Sequence, residues 1–228
     1  MKLSDDHTVL KIFLIAQLFV LGSFKPAEDN PPSRSIDIQL LYKDCSVENL
    51  LSFDIFRLAI TGFEKINELQ NKKIITIIDY TLPSDQERFF VIDLDKKMLL
   101  YKSLVAHGRN SGENRADSFS NTSESLKSCL GFFLTAETYY GKHGYSLKLD
   151  GLERGINDNA RQRSIVIHGA DYVSLSFAKQ HGRLGRSWGC PALPVDCTKQ
   201  IIDQISNGSC IFIYGNDPEY FKTSKLLN

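Results

Sequence analysis

The sequence predicts an α+β fold dominated by β-structure, and three observations lead there. Short runs rich in β-branched and aromatic residues recur from Ile74 to Tyr214, separated by turn-forming residues, which is the pattern of strands rather than of a helical bundle. Before them, apolar residues from Val47 to Leu69 repeat at intervals of three and four, the spacing of a helix with a wide buried face. After Cys190, the residues Val195, Ile201, Ile202 and Ile205 carry helical spacing again. The expected architecture is therefore a mixed, sandwich-like β-sheet with an N-terminal helical segment and a helix following Cys190.

The chain has 228 residues, enough for one ordinary domain with extensions and a core that needs no metal or disulfide staple. Hydrophobic residues make up 42% and charged residues 24%, as in a globular protein. Lys+Arg and Asp+Glu both number 27, and this balance, without a clustered basic face, argues against a nucleic-acid partner.

In chain order, Lys2 and Lys11 precede the apolar run Ile12 to Leu21, followed by the small residues Gly22 and Ser23. This is the layout of a secretory signal peptide over 1–23, too short to span a bilayer; a buried helix is the alternative. Residues 24–45 contain a polar, Pro-rich stretch and read as a linker, and 46–71 as the helical segment, with Gly62 as a possible break. Strands are expected at Ile74 to Asp79, Arg88 to Asp93 and Met98 to Ala106, with Asp95-Lys96-Lys97 turning a hairpin. Arg109 to Ser128, rich in Ser, Asn and Gly, reads as a long surface loop, either a lid or decoration. Gly131 to Thr135, Tyr145 to Leu149 and Ser209 to Tyr214 complete the strands, so that the domain occupies 72–216 and a tail 217–228.

The chemistry concentrates between Ser164 and Pro194. A β-branched run ending in His168-Gly169 delivers an imidazole to the rim of the sheet, and Gly189-Cys190-Pro191 places a thiol in a stiff turn. An imidazole that accepts the thiol proton converts a weak nucleophile into a thiolate. Five cysteines, an odd number, leave at least one free, and Cys190 is the obvious one; the others are read as mostly free buried thiols. His107 and His143 raise a metal site with His168, but no ligand spacing supports it, so neither metal nor cofactor is expected.

Three further strings sharpen this reading. Ile167-His168-Gly169-Ala170-Asp171 followed by Gly182-Arg183-Leu184-Gly185-Arg186-Ser187-Trp188-Gly189-Cys190-Pro191 resembles the active-site signature of the YkuD-type L,D-transpeptidases, in the branch called the murein L,D-transpeptidase catalytic domain family. Val105 to Gly112 and Glu137 to Gly144 resemble that branch as well. The resemblance covers roughly 72 to 214 and implies a YkuD-like catalytic domain, an exported, monomeric enzyme of the periplasm or cell envelope, and peptidoglycan stem peptides as partners.

It further implies that Cys190 attacks a peptide carbonyl to form a thioester, with His168 as general base and then acid, and Gly169 offering a backbone carbonyl to the imidazole. Asp171 is the alternative orienter, or a turn cap. Ser187, Trp188 and Gly189 belong to the cysteine turn, with the N–H groups of Gly189 and Cys190 as oxyanion donors. Many members carry His before the Gly-Cys and Arg or Asn two positions after the cysteine, where this chain has Trp188 and Ala192. Arg183 and Arg186 are candidates to clamp a substrate carboxylate instead, with Tyr139, Tyr140, Asn157 and Asn159 lining the groove or serving packing and turns. The expected reaction is cross-linking of stem peptides. Hydrolysis by the same thioester, or an inactive wall-binding module, are the alternatives.

Overall fold

The structure, a computed structural model, describes residues 36–228. The signal-peptide reading of 1–23 and most of the expected linker lie outside the described residues.

Two helices open the described chain: α1 (Ile38–Asp44), begun by an Asp37 side chain that accepts the Leu40 N–H, and α2 (Phe53–Lys65). Helix α1 thus falls inside the segment expected to be a linker. Its Tyr42 packs on Phe53 and Phe56, which gives so short a helix the tertiary contact it needs. Helix α2 runs unbroken through Gly62, correcting the expectation of a break. A Cβ at Gly62 would lie 2.0 Å from the Phe132 ring, so the glycine lets the helix press onto the sheet.

Eight strands follow, β1 (Ile74–Asp79), β2 (Phe89–Asp93), β3 (Met98–Ser103), β4 (Gly131–Gly141), β5 (Gly144–Gly151), β6 (Val166–Gly169), β7 (Ala192–Leu193) and β8 (Cys210–Tyr214). They form one mixed sheet in the order β3-β2-β1-β8-β4-β5-β6-β7. Helices α3 (Leu175–His181), α4 (Val195–Ile205) and α5 (Pro218–Thr223) complete the α+β fold. The sheet curls, and the segment after β3 meets β7 at an Ala106–Ala192 bridge, so the sandwich-like layout is realised by one sheet bending round. β1 and β2 are buried along their whole length, which explains why they read as continuous apolar runs instead of alternating ones.

Four expectations about elements change. Strand β3 ends at Ser103 rather than Ala106, because there the chain leaves β2 and pairs with β7 instead. Strand β4 extends to Gly141 and takes in Tyr139 and Tyr140. Within the supposed loop after His168 lies α3, whose Ser174 side chain caps the Phe177 N–H and whose last turn ends at Gly182 in the left-handed conformation. The segment expected as a tail contains α5, held by a buried Glu153 carboxylate that accepts from Phe132 N–H (2.8 Å), Tyr220 O–H (3.2 Å) and the Ser224 hydroxyl.

Candidate active site

β6 and the turn before β7 bring the two expected residues together. Val166 and His168 are two apart on β6 and so project to the same side of the strand. Cys190 leads into β7, which pairs parallel to β6 with His168 opposite Ala192. His168, Val166 and Cys190 line a single cavity of about 400 Å³.

The cysteine turn is built by its neighbours. The Ser187 hydroxyl donates to Cys190 O (2.7 Å) and accepts from Gly189 N–H (3.0 Å), closing the turn on itself. Gly189 adopts φ +128°, and a Cβ there would lie 2.8 Å from Lys127 O, so glycine is required. Behind it, the Ser128 hydroxyl donates to Gly189 O (3.1 Å) and accepts from Gly108 N–H (3.0 Å). The end of the long 109–128 loop therefore buttresses the turn. The rest of that loop is fastened through Asn121 to Asp158 and through Arg163 to Ser120 O and Lys127 O.

His168 is buried, and its Nδ1 lies 2.9 Å from Gly169 O. A carbonyl only accepts, so Nδ1 carries the proton and Nε2 the lone pair. Asp171 is exposed and is not the orienter. Burial pulls His168 below the ordinary imidazole range, partly offset by the Gly169 carbonyl and reinforced by His143 and Lys142. The Cys190 thiol is half-buried, with Sγ 3.5 Å from both Val166 N–H and Ser164 O. Burial pushes it above the usual thiol range, against the Val166 N–H, Arg163 and Lys142. Both shifts favour the neutral thiol and neutral imidazole over a preformed ion pair.

Several expected residues have other work. Gly189 N–H is taken by Ser187, which removes it as an oxyanion donor, whereas among the described residues Cys190 N–H has no acceptor. Asn157 is fully buried, donating to Leu130 O and Phe132 O and accepting from Glu153 N–H, so it is a structural residue and lines no groove. Asn159 is spent on Asn121. Tyr140 faces away at 78% exposure, and its neighbour Tyr139 lines the cavity, as alternation along a strand requires. Arg183 and Arg186 both bind Glu113, at 2.9 and 2.7 Å, so the supposed clamp already holds a carboxylate of the chain. Trp188, 67% exposed, stands at the cavity mouth.

Residues that the sequence reading left unassigned also meet here. His143, at the tip of the β4–β5 hairpin, stacks on His168 with ring centroids 4.3 Å apart. Lys142 beside it places Nζ 5.2 Å from the Trp188 ring centroid. The resembling string Glu137 to Gly144 held both, but nothing in it said that a hairpin would carry them to His168. His107, by contrast, is drawn into a separate buried pair with Arg88 (2.8 Å). The described residues contain no cluster of three metal-ligating side chains.

A family model described as the L,D-transpeptidase catalytic domain matches residues 47–214. The chain belongs to the L,D-transpeptidase catalytic domain family. The match begins before β1 and takes in α2. Among solved structures, an L,D-transpeptidase from Mycobacterium smegmatis is 13% identical over 63% of this chain and 59% of that one, with a TM-score of 0.40. The helical cell shape determining protein Pgp2 from Campylobacter jejuni is 13% identical over 75% and 62%, with a TM-score of 0.44. Mycobacterium tuberculosis L,D-transpeptidase 1 is 12% identical over 63% and 62%, with a TM-score of 0.36. The chain spans about three fifths of the length of these solved proteins. No curated protein matches it.

Proposed function

We propose that this L,D-transpeptidase domain forms cross-links between peptidoglycan stem peptides through a thioester on Cys190. The observation that carries the reading is the shared cavity of Cys190 and His168, with the proton of the imidazole fixed on Nδ1 by Gly169 O and Nε2 left as a base.

In this mechanism the Cys190 S–H proton passes to His168 Nε2 as Sγ attacks the carbonyl carbon of the donor peptide. The resting pair is neutral, so proton transfer accompanies attack rather than preceding it. The former carbonyl oxygen gains negative charge, and Cys190 N–H is the donor left to meet it. The C–N bond then breaks as His168 returns the proton to the leaving amine. An acceptor amine attacks the thioester, gives its proton to His168, and Sγ departs and is reprotonated. Export to the cell envelope is part of the proposal, resting on the apolar run Ile12 to Leu21.

Purified protein incubated with tetrapeptide muropeptides and analysed by mass spectrometry tests this. A cross-linked dimer, absent with Cys190→Ala, is the expected product. A tripeptide monomer alone replaces cross-linking with hydrolysis, and no product with an unlabelled Cys190 overturns the enzymatic reading.

A further inference from the structure

The cavity around Cys190 is lined by Lys142, Arg163, Arg186 and two histidines, and by no Asp or Glu. A water-restricted pocket of this sign favours an anionic ligand. Two of the three permanent cations are already committed. Arg163 donates to Ser120 O, Lys127 O and the Cys129 Sγ, and Arg186 to Arg109 O, Gly112 O and Glu113. Lys142 differs from both. Among the described residues its ammonium makes no hydrogen bond and no ion pair, and it meets the face of Trp188.

Its position is fixed by the hairpin. Gly141 pairs with Gly144, leaving Lys142 and His143 as the two residues of a tight turn, with Gly144 at φ +73°. His143 is stacked on His168 and Lys142 reaches Trp188, so the tip spans from the base to the far wall beside the thiol.

Resting on the function proposed above, we propose that Lys142 is a specificity-determining residue that selects acyl donors carrying a carboxylate close to the scissile amide. Trp188 holds the ammonium at the mouth by its π face, which satisfies no N–H donor fully and leaves the charge available to a carboxylate. A lysine point charge sets no planar geometry, so it accepts a carboxylate on either side of the scissile bond. Two carboxylates qualify chemically: the C-terminal one on the leaving residue, and an acidic group on the acyl half.

The full chain is assayed with a tetrapeptide donor, its C-terminal carboxamide, and a donor amidated at the acidic group of the acyl half. Wild type favours the free donor over one of the two amidated donors by about 10- to 100-fold in kcat/KM, mostly through KM. That donor identifies which carboxylate is read. Lys142→Ala brings the ratio to within about two-fold of unity, and Lys142→Arg keeps most of it. Equal use of all three donors by wild type, or an unchanged ratio in Lys142→Ala, overturns the assignment.

A second measurement needs no turnover: alkylation of Cys190 by iodoacetate relative to iodoacetamide, read by peptide mass spectrometry at low salt. Lys142→Ala lowers that relative rate, and added salt lowers it more in wild type than in the variant, which keeps Arg163 and Arg186. A fall without turnover of any peptide leaves the Lys142 assignment standing and overturns the proposed function. Turnover with no fall in either ratio does the reverse.

Discussion

His107-Gly108 and His168-Gly169 are the same dipeptide and both histidines are buried, yet among the described residues only His168 keeps a ring nitrogen without a hydrogen-bond partner. At His107 the buried Arg88 guanidinium, which has no acceptor role, donates to Nδ1 at 2.8 Å, so the imidazole proton sits on Nε2, near Gly112 O at 3.3 Å. Both ring nitrogens are used. Burial and the Arg88 charge push the group down to about 4, so it stays neutral and structural. At His168 the Gly169 carbonyl occupies Nδ1, Nε2 has no hydrogen-bond partner among the described residues, and the residue lines the cavity it shares with Cys190. What separates the two imidazoles is one nitrogen left without a partner, not burial.

The sharpest test of that contrast is His168→Gln, which should lower kcat/KM about 10³-fold while leaving the thermal midpoint nearly unchanged. An equal loss from His107→Gln in fully folded protein would break the comparison. Next in size, Arg88→Met strands the Leu82 and Val105 carbonyls and His107 Nδ1, and should cost about 3 to 5 kcal/mol in urea unfolding.

His107 also makes stability depend on pH. Its folded pKa lies below the unfolded one, so between the ordinary histidine value and about 4 the unfolded chain binds the extra proton. Its contribution is present above the unfolded value and lost as pH falls toward 4, in total about 3 kcal/mol. Relative to His107→Gln, wild type should lose that much stability across this window in acid urea titrations. The smallest effect belongs to His143→Ala. Removing the stacked ring takes away a neighbour that lowers His168, so the acid limb of kcat/KM, expected below the ordinary histidine range, should move to higher pH.

The residues on which these tests turn were legible to different degrees. His168, Gly169, Ser187 and Cys190 stood out because their types and order carry chemistry, and α4 was bounded by Pro194 and the Asn207-Gly208 pair that the sequence displays. Asn157 and Arg183 were misassigned for a common reason. A polar side chain in a loop looks the same whether it reaches a ligand or closes a distant backbone gap, and only tertiary placement shows that Asn157 is spent on β4. Ser128 gave no signal at all, since its contact with Gly189 joins residues 61 apart. Helix α3 was hidden because it buries little apolar surface, Ala178 being its buried residue, and thus lacks the periodic stripe that announces a helix.

The sheet order gives the chain's last strand an unusual responsibility. β8 lies between β1, to which it is parallel, and β4, to which it is antiparallel, and it alone joins β3-β2-β1 to β4-β5-β6-β7 within the ladder. Apart from β8, the two halves meet through the isolated Ala106–Ala192 and Gly108–Ser187 bridges. Pairing Ile75 with Cys210 is a long-range closure, so completing the sheet carries a larger entropic cost than local hairpins such as β4–β5.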